Sequence, residues 1–83
     1  MDEVTREILN VVNDRIERND TAPLGDIDAD LGKAGVTSLQ MVEFIDEFER
    51  RFAVEFPAEM ISADTFRSVR TIASSVRELL ARL

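Results

Sequence analysis

Apolar residues recur at steps of three and four along almost the whole chain, and this period dictates an all-α fold before any single motif is considered. Val4, Ile8, Val11, Val12 and Ile16 share one face of a helix predicted over residues 3 to 18, with Asp2 and Glu3 at its positive end. Residues 19 to 35, NDTAPLGDIDADLGKAG, are rich in turn formers and read as a long connection whose Leu24, Ile27 and Leu31 tuck into the core. A second helix is predicted from Ser38 to about Phe52. Pro57 suits the first position of a short third helix. Ser68 suits the cap of a last one, in which Val69, Ile72, Ala73, Val76, Leu79, Leu80 and Leu83 form the buried stripe. No segment reads as a strand, a repeat or a low-complexity tract. The expectation is one domain over residues 1 to 83, a small four-helix bundle made of three main helices plus a short third helix, with a long loop between helices one and two.

Composition removes several kinds of function. A chain of 83 residues buries only about 60 to 65% of the surface its unfolded form exposes, which leaves little core to support an elaborate catalytic cleft. There is no Cys, hence no disulfide, thiol nucleophile or cysteine metal site. There is no His, the usual general base at neutral pH and the commonest metal ligand. Seventeen acidic residues against ten basic ones give a net charge of −7, which disfavours nucleic acid and anionic lipid and favours basic partners where charge guides docking. No apolar run approaches the roughly 20 residues that span a bilayer, and the N-terminal MDEVTREIL is too acidic for a signal peptide. A soluble, cytoplasmic monomer is expected, with neither nucleic acid nor membrane as partner.

Asp26, Asp28 and Asp30 alternate like the first three ligands of an EF-hand loop. The match then fails: the sixth position, which needs glycine, is Leu31, and the twelfth, which needs a bidentate glutamate, is Thr37. The run is expected to be a solvated acidic loop rather than a metal site.

Thr37 followed by Gln40 is a capping box, in which the threonine oxygen takes the amide of the third helical residue and the glutamine reaches back to the threonine amide. Ser38 then becomes the first residue of helix two, at the positive end of the helix dipole, where amides lack partners and an anion is favoured. On a wheel of about 100° per residue, Met41, Phe44, Ile45, Phe48 and Phe52 make the core face. Leu39 and Val42 fall off it, on the side of Ser38, together with Glu43, Asp46 and Glu49. An exposed aliphatic and acidic ridge ending in a serine is expected to be a docking surface.

These pieces, taken in order, carry a resemblance. Gly35-Val36-Thr37-Ser38-Leu39 at a helix start, Val42-Glu43-Phe44, Glu47-Phe48-Glu49 through Phe52, Phe56-Pro57, and Phe66-Arg67-Ser68-Val69 leading into Ile72-Ala73 resemble the acyl carrier protein and peptidyl carrier protein superfamily over nearly the whole chain. The resemblance implies a bundle of acyl-carrier type in which Ser38 carries 4′-phosphopantetheine, attached from coenzyme A by a phosphopantetheinyl transferase. The thiol of that arm would hold acyl or aminoacyl groups as thioesters and present them to loading and downstream enzymes. A thiol imported in this way also accounts for a chain that has neither Cys nor His. The chain itself would then not be an enzyme. Thr37, Leu39, Val42, Glu43, Asp46 and Glu49 would form the partner surface.

Thr37 stands where most acyl carriers have aspartate before the serine, and Gly35-Val36-Thr37 also differs from the G-G-H-S of many peptidyl carriers. Gln40 replaces an acidic residue common in fatty-acid carriers, and Arg50-Arg51 interrupts the acidic tail of helix two. These departures point to a discrete carrier in a specialised polyketide or nonribosomal peptide pathway. The rival reading is a carrier-like adaptor that binds basic partners with Ser38 unmodified.

Overall fold

The structure is a computed structural model that describes residues 2–18 and 22–83. It contains α1 (Glu3–Arg18), α2 (Ser38–Phe52), a single 3₁₀ turn (Ala58–Met60) and α3 (Val69–Ala81). The described residues are otherwise turns and irregular chain, with no strand. The first three residues of the long connection, 19–21, lie outside the described residues.

The start of each helix has a local cause. Asp2 Oδ1 accepts the Thr5 amide at 2.8 Å, so the aspartate caps α1 rather than only complementing its dipole. Thr37 and Ser68 both sit in extended backbone and each closes a capping box, with Gln40 and Thr71 respectively. α2 ends on Ala53, which takes the left-handed conformation at φ 53°. Its amide and that of Val54 both return to the Glu49 carbonyl.

α1 packs most extensively on α3 and also on α2. The core joins Ile8, Val12 and Ile16 of α1, Phe44 and Phe48 of α2, and Val69, Ile72, Ala73, Val76 and Leu79 of α3. Irregular chain contributes Leu31, Val36, Val54, Phe56 and Phe66. Phe44 stacks on Phe48 with ring centres 5.9 Å apart, and Phe56 meets Phe66 at 5.5 Å. Leu31 is fully buried, while Leu24 and Ile27 pack against the core from its edge.

Three expectations need correction. The short third helix is one 3₁₀ turn, so the bundle has three α-helices rather than four helices. Pro57 stands outside that turn as its cap, and Ser62 starts a separate turn by accepting the Thr65 amide at 3.2 Å, which stops a helix from growing through the segment. Leu83 leaves the α3 stripe and is exposed, because α3 ends at Ala81. On α2 the core face is narrower than the wheel suggests: Phe44 and Phe48 are buried, whereas Met41, Ile45 and Phe52 are partly covered.

The long connection is tied down rather than draped. Asn13 Oδ1 accepts the Leu24 amide at 2.7 Å, the Leu31 amide donates to the Arg67 carbonyl at 2.8 Å, and the Arg70 amide donates to the Ile27 carbonyl at 3.0 Å. The three aspartates are part of this lacing. Asp26 accepts the Asp28 amide, Asp30 accepts the Lys33 amide, and Asp28 pairs with both Nε and Nη2 of Arg70. The predicted solvated acidic loop is therefore an ordered turn system. No group of acidic residues among those described is placed to hold a metal ion.

Candidate functional site

The four residues Gly35 to Ser38 work as a mount. Gly35 has φ +97°, a conformation that side-chain-bearing residues rarely adopt. The turn it makes drops Val36 into the core at 7% exposure. Thr37 is left at the surface to cap α2: the Gln40 amide donates to its Oγ1 at 3.2 Å, and its own amide donates to Gln40 Oε1 at 2.9 Å. Ser38 follows as the first residue of α2, exposed, and its hydroxyl has no side-chain hydrogen bond among the described residues.

Two further features favour an anion at this point. The first intrahelical bond of α2 runs from the Met41 amide to the Thr37 carbonyl, and the Gln40 amide is taken by the cap. The amides of Ser38 and Leu39 have no partner among the described residues. The first turn of α2 holds no acidic side chain that would oppose a negative group.

Ser38 stands on the rim of an open groove of about 480 Å³ between α2 and the segment that follows the 3₁₀ turn. Met41, Val42 and Ile45 line the α2 side, and Ile61 and Phe66 line the other. Asp30 and Arg67 bring polar groups to its edge. Sequence reasoning missed Ile61 and the groove, because the segment EMISADTF carries no period that separates an exposed apolar residue from a buried one.

The ridge beside Ser38 has a mixed character. Leu39 and Val42 are 72% and 61% exposed, as expected from the wheel. The carboxylates are not free, however. Glu43 pairs with Arg15 of α1 at 2.8 Å, and Asp46 pairs with Arg50 one turn along α2 at 3.1 Å. Glu49 is half-buried and turned inward, where its Oε2 accepts the Phe56 amide at 2.8 Å and fixes the chain leaving α2.

Three α-helices thus present, at the start of the second, an exposed serine whose hydroxyl has no hydrogen bond among the described residues. Residues 6–83 match the model of the phosphopantetheine attachment site, and the chain belongs to that family. Its members are carrier domains rather than catalysts, and they bear covalently attached 4′-phosphopantetheine. No curated protein matches the chain in a sequence search.

Two solved structures are similar to it, both from Bradyrhizobium japonicum. One is glycine:[carrier protein] ligase with its cognate carrier protein and an analogue of glycyl adenylate; the match is 29% identical, covers 92% of this chain and 99% of that one, and has a TM-score of 0.76. The other is the same ligase with glycylated carrier protein, 30% identical over 89% of this chain and 99% of that one, again with a TM-score of 0.76. No helix among the described residues is long and apolar enough to cross a membrane.

Proposed function

We propose that Ser38 is the residue that bears 4′-phosphopantetheine, and that the 83 residues act as one discrete carrier domain for an aminoacyl or acyl group in a specialised biosynthetic assembly. The observation that carries this reading is the exposed hydroxyl of Ser38 at the head of α2, without a hydrogen bond among the described residues, in a chain of the phosphopantetheine family. When bound, the group supplies a thiol that holds cargo as a thioester.

The residues present fit that group. Thr37 takes the cap that a serine at a helix start often supplies, so Ser38 Oγ is available for a phosphodiester. The Ser38 and Leu39 amides, unpartnered among the described residues, and the positive end of α2 favour the phosphate. Beside it, Met41, Val42, Ile45 and Ile61 bring apolar side chains to the open groove that Ser38 also lines.

The likeness to carriers that work with a glycine ligase supports an aminoacyl cargo, loaded by a ligase of that kind after a phosphopantetheinyl transferase has acted. Leu39 and Val42, the exposed residues of α2 beside Ser38, are the surface such enzymes meet first. Thr37, at the same end, shapes the approach to the hydroxyl.

Intact mass after incubation with coenzyme A and a promiscuous transferase tests the reading. The chain is expected to gain one phosphopantetheine and Ser38→Ala none. No gain with several transferases overturns it and favours the unmodified adaptor; an equal gain in the variant overturns it by placing the modification on another residue.

A further inference from the structure

Two charged residues line the otherwise largely apolar groove beside Ser38. Among the described residues of its lining, Asp30 is the one carboxylate and Arg67 the one cation. Asp30 is half-buried, its Oδ1 accepts the Lys33 amide at 3.0 Å, and it has no ion pair among the described residues. Arg67 is held more loosely than the arginines that tie the fold together. Arg70 binds Asp28 with both Nε and Nη2, and Arg51 bonds both Glu7 and Glu47. Arg67 gives one nitrogen, Nη2, to one oxygen of Asp64, three residues back along the chain. Both side chains of that pair lie mostly in water, at 59% and 85% exposure. An exposed pair of this kind adds little to stability and is readily exchanged for a better one.

The backbone of Arg67, by contrast, is fixed to the loop that mounts the serine. Its carbonyl accepts the Leu31 amide at 2.8 Å, and the Leu31 carbonyl accepts the Val36 amide at 3.0 Å, two residues before Ser38. Leu31 and Val36 are both buried. Two successive hydrogen bonds through packed residues therefore set where the Arg67 side chain begins relative to Ser38, and both residues line one groove. A fixed root and a loosely held head let a long side chain change partner while the backbone stays in place.

We propose that Arg67 is a positioning residue for the prosthetic group: once 4′-phosphopantetheine is on Ser38, the Arg67 guanidinium leaves Asp64 and takes the phosphodiester, which anchors the near end of the arm. This deepens the attachment reading and rests on it. A phosphodiester is anionic at neutral pH and presents two unesterified oxygens to the guanidinium fork, whereas Asp64 engages a single nitrogen. The exchange takes place at the edge of an apolar lining, where a charge pair is screened less than in open water. Asp30, without a cation of its own, repels an anion beside the groove, and Arg67 is the charge in the lining that offsets it. Lys33 belongs to the same loop as Asp30 but does not line the groove. The segment 61–67 that forms the facing wall loses its Asp64 ion pair when the arm arrives, so the modified and unmodified chains differ there.

The test compares the unmodified chain with the chain modified from coenzyme A by a promiscuous transferase, each confirmed by intact mass. Phosphorus NMR reads the phosphodiester directly, against a short unstructured peptide bearing the same group. The wild-type resonance should be displaced from that of the peptide. Arg67→Gln should return it towards the peptide value, Arg67→Lys, which keeps the charge but not the fork, should restore part of the displacement, and Lys33→Gln should leave it at the wild-type position. In nitrogen NMR of the wild-type chain, the Arg67 guanidinium protons should exchange with water at least about threefold more slowly after modification than before. That comparison needs no variant, so it decides the matter even where a substitution disturbs folding. Circular dichroism melts of the unmodified variants are the folding control. A phosphorus resonance unmoved by Arg67→Gln, one moved by Lys33→Gln instead, or equal Arg67 exchange in the two forms overturns the inference while leaving the attachment residue in place. A wild-type chain that gains no mass overturns the attachment reading and this inference with it.

Discussion

Ser38 and Thr37 are neighbours with separate duties, and substitutions should separate them. The Ser38 side chain is exposed and has no hydrogen bond among the described residues, so Ser38→Ala should shift unfolding free energy by no more than about 0.5 kcal/mol in urea denaturation. Thr37 holds the Gln40 amide, so Thr37→Ala should cost about 1 kcal/mol. Thr37→Asp keeps an acceptor at the cap and adds a charge that suits the dipole, and should leave stability equal or slightly higher. Transferase kinetics on the aspartate variant then ask a different question. Faster or equal modification is expected from a general transferase; slower modification with an intact fold would mean that the transferase reads the threonine itself. This division of labour was legible in the sequence, because a capping box is written in residues three apart and needs nothing from the rest of the chain.

The elements differ in how far their causes reach. α1, α2 and the start of α3 announce themselves through local periods and caps, and the structure places α1 at Glu3–Arg18 and α2 at Ser38–Phe52, as expected. The segment between α2 and α3 does not. Its course depends on Glu49 taking the Phe56 amide seven residues on, on Phe56 meeting Phe66, and on the Arg67 carbonyl meeting the Leu31 amide. None of these leaves a periodic trace, so Ile61 and the groove it lines stayed hidden. The end of α2 was equally silent, since alanine is an unusual residue for a left-handed cap. Relieving that conformation should help: Ala53→Gly is expected to raise stability by about 0.5 to 1 kcal/mol, read as a higher urea midpoint at unchanged slope. A lower midpoint would mean that the alanine methyl packs favourably enough to outweigh its strained φ.

At the scale of the molecule, ion pairs join parts that are distant in sequence. Arg77 of α3 reaches Asp2 at the start of α1 at 2.9 Å, and Arg70 of α3 reaches Asp28 in the connection with its Nη2 at 3.1 Å. The Asp2 carboxyl is held below its ordinary value of 3.8 first by its hydrogen bonds from Thr5 and then by Arg77. Asp28 is held below 3.8 by the hydrogen bond from Arg70 and by that residue's charge. A carboxyl whose folded pKa is depressed stabilises the fold above its unfolded value, and that contribution is lost as pH falls through the folded one. The stabilisation should therefore be complete at neutral pH, begin to decline near pH 3.8 and be lost as the pH falls further through the folded values. Asp2→Asn and Asp28→Asn should each be less stable than wild type by a constant margin near neutrality, and the margin should close in acid. A margin that persisted unchanged at the acid end of a pH series of urea midpoints would show that these carboxyls are not the cause.

The two amide hydrogen bonds that lace the connection to the start of α3 and the residue just before it, Leu31 to Arg67 and Arg70 to Ile27, have a kinetic consequence. Both lie outside the interior of any helix, where backbone amides ordinarily trade their protons with solvent within moments. Here neither donor can be released without parting the two stretches of chain. They should open together, as one cooperative unit with a common opening free energy, and that unit includes one wall of the groove beside Ser38. In deuterium exchange followed residue by residue, the Leu31 and Arg70 amides should be protected to a similar degree and far more than the Lys33 amide, whose acceptor among the described residues is a side chain three residues away. Exchange at unrelated rates would mean that each stretch loosens independently, and that the groove can widen without disturbing the loop that mounts the serine.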